Sequence, residues 1–162
     1  MKRKLVFLCL LAASGNLLGQ EGFTNSGNLR VHSGASITGF GNFTNTSSGV
    51  LVNNGSLYVR GTLTNDESSM SAGSGTLYLN GSAAQAVDGS QAFRTNNLIT
   101  DNNAGITLNN NLNVTGLHTF TNGLIATSAT PNYMVYEAGS SHTGSTDSRH
   151  VTGWVKKHGN TD

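Results

Sequence analysis

The sequence predicts an all-β chain: a right-handed parallel β-helix, or β-solenoid, with coils of about 20 residues. Three observations predict it. Gly, Asn, Ser and Thr make up 78 of the 162 residues, and these are poor helix formers. The triplets Phe23-Thr24-Asn25, Phe43-Thr44-Asn45 and Leu63-Thr64-Asn65 recur at an interval of 20, as do Ile37, Leu57 and Leu77. Leu57 and Val59 alternate with Tyr58 and Arg60, the period-2 mark of a half-buried strand. An antiparallel β-sandwich is the alternative, since it too has many short strands and frequent turns. The fixed interval favours stacked coils, because a buried column tolerates little change of length.

The elements follow in order. Met1-Lys2-Arg3-Lys4 is basic, Leu5 to Ala13 is apolar, and small residues follow. That is the pattern of a secretory signal over residues 1–19, cleaved after Gly19 or, second choice, after Gly15. The apolar run is too short for a membrane-spanning helix. Residues 20–130 are the solenoid repeats. Segments 37–45, 57–65 and 77–85 overlay as ITGFGNFTN, LYVRGTLTN and LYLNGSAAQ. The register weakens after Gln85 and returns at Ile106, where Ile106–Leu112 overlays Leu51–Leu57 and Leu112–Gly116 overlays Leu57–Gly61. The expected inward set is Leu51, Leu57, Val59, Leu63, Leu77, Leu79, Ile106, Leu108, Leu112, Val114 and Phe120. Ile37 and Phe43 fill the same columns in the first coil. Residues 131–162 hold further strands, at Tyr133–Glu137 and His150–Val155, of a solenoid expected to continue in a longer protein.

Composition excludes some chemistry. The only cysteine, Cys9, lies in the leader, so a mature chain has no disulfide and no thiolate. Without the leader, six Lys and Arg face eight Asp and Glu, and there is no basic face for a nucleic acid. No metal-ligand spacing such as HxH or HExxH occurs. His142, His150 and His158 are evenly spaced, but solvated loop histidines are the expected reading. The acids Asp66, Glu67, Asp88, Asp101, Glu137, Asp147 and Asp162 are scattered, and Asp66-Glu67 read as a solvated corner. No catalytic residue, cofactor or metal ligand is therefore assigned. One outward pair stands out: Tyr58 and Tyr78 occupy the same column one coil apart. They form either a platform on which a sugar ring stacks or a same-face pair that stabilises the sheet.

The LYVRG and LYLNG strands, the Asn53-Asn54-Gly55 turn and the segment His150-Val-Thr-Gly-Trp-Val-Lys-Lys-His-Gly-Asn160 resemble the β-helical repeat regions of large surface proteins of the Bacteroidota. The resemblance covers Gly22 to Gly159 and implies an N-terminal fragment of an adhesin-like protein of the type IX secretion route. It departs in one respect, since no C-terminal sorting domain is present. It implies a non-catalytic structural or adhesive repeat protein, secreted or on the outer-membrane surface of a Gram-negative bacterium. Surface glycans or other cell-surface proteins are the implied partners, with no nucleic acid and no transmembrane segment. Two alternatives are the N-terminal part of a carbohydrate-active, pectin-lyase-like β-helix enzyme and a glycan-binding module.

Overall fold

Apolar residues that alternate over three to six positions, each run ending at a Gly, Asn or Ser corner, make strands too short to stand alone. In a computed structural model, which describes residues 22–127 and 131–159, they stack instead. The predicted leader at 1–19 lies outside the described residues. The first coil is β1 (Phe23–Asn25), β2 (Asn28–Val31) and β3 (Ser36–Gly39). The second is β4 (Phe43–Asn45), β5 (Val50–Asn53) and β6 (Ser56–Val59). The third has only β7 (Leu63–Asn65) and β8 (Thr76–Leu79). The fourth is β9 (Gln85–Asp88), β10 (Phe93–Thr95) and β11 (Asn97–Asp101). The fifth is β12 (Ile106–Leu108), β13 (Leu112–Val114) and β14 (Leu117–Asn122). The sixth is β15 (Ile125–Thr127), β16 (Met134–Tyr136) and β17 (Ser141–Thr143), and β18 (Val151–Thr152) with β19 (Val155–Lys157) opens another.

Every pairing between these strands is parallel. The antiparallel sandwich is thereby excluded. The strands form three faces. The first is the seven-stranded sheet β1-β4-β7-β9-β12-β15-β18. The third is the six-stranded sheet β3-β6-β8-β11-β14-β17. The second face is split into β2-β5 and β10-β13-β16-β19, because the third coil contributes no strand there. Among the described residues no helix is long and apolar enough to cross a membrane.

The core runs along the axis between the faces. Leu51, Leu57, Val59, Leu63, Leu77, Leu79, Ile106, Leu108, Leu112 and Val114 are each no more than 2% exposed, and Phe120 is buried too. Phe43 joins them, while Ile37 in the first coil is only partly buried. One coil holds about four such side chains. At roughly 1.5–3 kcal/mol each, they fall short of ordering about 20 residues at ~1 kcal/mol or more apiece. A coil is stable only against its neighbours. The corners are tight for the same reason. Gly123 has φ +78°, and a Cβ there would sit 1.8 Å from the Asn102 carbonyl oxygen of the coil below.

Three parts of the expected register are corrected. Val87, not Ala83, pairs with Leu63, at an interval of 24. Ala83 is too small to fill that column. The four extra residues make a longer corner, which Gln85 plugs: its amide donates to the carbonyls of Val59 and Gly61 and accepts from the Gly81 N–H. The fifth coil lies one face away from the overlay expected of it. Ile106 belongs to the first face and Leu112 to the second, whereas Leu51 and Leu57 belong to the second and third. The three faces share one alternation and similar spacing, so an overlay displaced by a face still puts apolar residues inside. Finally, Glu67 is buried rather than solvated. The segment Glu67–Ala72 carries three serines and contributes no strand to the second face. Side chains replace its ladder: Glu67 Oε2 accepts from Leu51 N at 3.0 Å, and Met70 Sδ from Arg94 N at 3.5 Å.

Candidate functional site

Outward side chains decide what the solenoid can touch. On the third face Tyr58 pairs with Tyr78, as expected. Their rings stack with centroids 4.1 Å apart and 15° between planes, so each covers one face of the other. Burial and the neighbouring Tyr78 hydroxyl hold the Tyr58 phenol above its usual range.

The acids are spent on joining coils. Asp66 accepts from the backbone N–H and hydroxyl of Ser90, each at 2.8 Å, and these bonds lower its pKa. Asp88 accepts from Asn109 and Asp101 from Asn122, each at 2.7 Å. Glu67 Oε2 also accepts from Asn45 Nδ2 at 2.7 Å. Inside that corner runs a ladder: Asn25 Nδ2 donates to Asn45 Oδ1 at 2.8 Å, and Asn45 Nδ2 to Asn65 Oδ1 at 2.9 Å.

The histidines separate into two kinds. His118 is fully buried. It pairs with Leu98 in an inward column. Its Nδ1 lies 2.7 Å from the Tyr136 hydroxyl and its Nε2 3.2 Å from the Thr100 hydroxyl. Burial, with some repulsion from His142, lowers its pKa to about 3. The signal was available: His118 stands two residues before Phe120, on the same side of one strand. His142, His150 and His158 do not converge. They lie on β17, just before β18 and just after β19, on the third, first and second faces in turn. Among the described residues no group of three or more His, Cys, Asp and Glu could hold a metal ion.

Outward aromatic, charged and amide groups gather at the far half of the second face. There Arg94, Asn113, Val135 and Lys156 form one outward column. Beside it stand Asn111, Tyr133 and Trp154, linked by Tyr133 N donating to Asn111 Oδ1 at 2.8 Å. Tyr133 and Trp154 meet edge to face, with ring centres 6.5 Å apart, and Trp154 is 54% exposed. Glu137 closes the other side. Arg94 grips it with two bonds, Nε to Oε1 at 2.8 Å and Nη2 to Oε2 at 2.5 Å. That pairing lowers the Glu137 pKa and raises that of Arg94. A cavity of about 460 Å³ results, and Tyr133, Glu137, Lys156 and His158 help to line it. Sequence reading missed this cluster because it treated residues 131–162 as strands without assigning their faces. The alternation Met134 in, Val135 out, Val155 in, Lys156 out would have found it.

The arrangement defines the molecule as a parallel β-solenoid of about six turns. Compared with known protein families, curated proteins and solved structures, the chain matches none.

Proposed function

We propose that the chain is an exported, non-catalytic structural repeat protein, a rigid rod of adhesin-like type displayed at or beyond the cell surface. One observation carries this reading. Asp66, Glu67, Asp88, Asp101 and Glu137 all hydrogen-bond to a different coil, so chemistry-bearing groups serve the stacking. The basic and apolar opening of the chain supports export. The test has two readouts. Expressed with its leader in a Gram-negative host, the protein should leave the cytoplasm and begin at Gln20, or at Asn16, by mass spectrometry. Retention in the cytoplasm with Met1 in place would overturn the export reading. Incubated with a panel of plant and bacterial polysaccharides, it should release no new reducing or unsaturated ends. Turnover of any of them would move the carbohydrate-active reading to first place.

A further inference from the structure

The second-face cavity combines features that the rod reading does not use. Tyr133 lines the cavity, Trp154 stands against it at the cavity's edge in the same outward column, and Trp154 is more than half exposed. Two rings set edge to face do not cover each other, unlike the Tyr58 and Tyr78 rings, which are stacked. Flat apolar ring faces with hydrogen-bonding groups beside them suit sugar rings, which are apolar on one side and rimmed with hydroxyls. The groups are there. Asn113 sits in the next column, and its buried side-chain oxygen has no partner among the described residues. Such an orphan acceptor calls for a donor.

Charge narrows the class. Glu137 is the carboxylate of the cavity, and Arg94 neutralises it through two bonds. Lys156 and His158 also line the cavity, and both are exposed. The balance is cationic, which favours an anionic ligand. We propose that this groove binds an acidic saccharide, a chain of sugar rings bearing carboxylates, with one ring on Trp154 and a carboxylate at Lys156. The proposal deepens the rod reading by giving the rod something to hold, but it does not depend on export.

Trp154 is the chain's only tryptophan and lies against Tyr133 of the cavity wall, so its emission reports on a ring bound at that edge. Titration of the full chain with oligogalacturonate hexamer should shift that emission saturably, and cellohexaose, the uncharged probe, should not. Calorimetry should show binding weakened roughly tenfold or more by Trp154→Ala. Lys156→Gln should weaken it as well and flatten its salt dependence. Tyr58→Ala should leave the affinity unchanged. Circular dichroism of each variant separates lost binding from lost folding, and Lys156, outward and exposed, is the variant safest for the fold. No saturable binding of oligogalacturonate, equal binding of cellohexaose, or full affinity in both groove variants would overturn the proposal. None of these results would touch the rod reading, which stands on export and turnover.

Discussion

At the scale of single residues, His118 shows how a polar side chain lives in an apolar column. Leu57, Leu77 and Leu98 precede it in the same inward position. A histidine there costs solvation, and the Tyr136 and Thr100 hydroxyls offset part of that cost. The same burial holds the Tyr136 phenol well above its usual range. His118 stays neutral in the fold down to about pH 3, whereas an imidazole in the unfolded chain protonates near 6.5. Between those values the unfolded chain binds the extra proton. His118 therefore contributes full stability above about pH 6.5, and that contribution falls as the pH drops toward about 3. The slope is up to ~1.4 kcal/mol per pH unit. Glu137 and Asp66, whose pKa values are lowered, lose their contributions only near the unfolded carboxylate range, around pH 4. The interval from pH 6.5 to 5 belongs to His118. Denaturant melts over that interval should show a loss of about 2 kcal/mol in the parent chain. His118→Gln should remove most of the slope, and a parallel slope in the variant would assign the effect elsewhere.

At the scale of elements, the third coil shows what a missing strand needs. Leu51 N would be an orphan donor without Glu67, and Asn45 would lose an acceptor. Glu67→Gln keeps a side-chain oxygen in reach and should cost ~1–2 kcal/mol, whereas Glu67→Ala strands both donors and should cost ~3 kcal/mol or more. Chemical unfolding of the two variants measures the difference, and equal costs would show that the carboxylate does not stand in for the ladder. The element scale is also where the sequence was most and least legible. The first and third faces of the first two coils could be read to the residue, because Phe23, Phe43 and Leu63 repeat without insertion and pair as they overlay, as do Ile37 and Leu57, whereas Leu29 on the second face pairs with Leu51 at an interval of 22. Glu67 could not, because its neighbours Asp66, Ser68 and Ser69 look like any polar turn. Its burial follows from a strand that fails to form, and a local pattern does not show a partner's need. Val87 was missed for a related reason: a corner that lengthens by four residues leaves a small residue, Ala83, where the repeat wants a large one.

At the scale of the whole molecule, stability is a sum over neighbours. Inner coils have two and end coils have one. Phe23 stacks on Phe43 at 5.3 Å but remains 37% exposed, and Val155 is 48% exposed although it pairs with the buried Met134. Native-state hydrogen exchange should therefore be slowest in β7, β8, β11 and β12 and faster in β1 and β19. Uniform protection along the chain would contradict nearest-neighbour stacking. The solenoid itself was legible because its one-dimensional order writes a period into the sequence. The groove was not, because it is made by columns. Arg94, Asn113, Tyr133 and Glu137 come from three coils, and nothing in their local spacing announces that they meet.

The asparagine ladder has a direction. Asn25 donates to Asn45 and Asn45 to Asn65, so the carboxamide dipoles point the same way along the axis. Asn45 aims its second N–H at the Glu67 carboxylate. Aligned amides polarise one another, and a carboxylate on the N–H side of the middle amide deepens the effect. Turning one amide over would set N–H against N–H and break contacts on both sides of it. Deamidation would be worse still: an aspartate at Asn45 would bring a second carboxylate to within hydrogen-bonding distance of Glu67 in a buried corner. The ladder is thus a one-way wire whose chemical ageing at a single nitrogen would set two like charges against each other inside the rod.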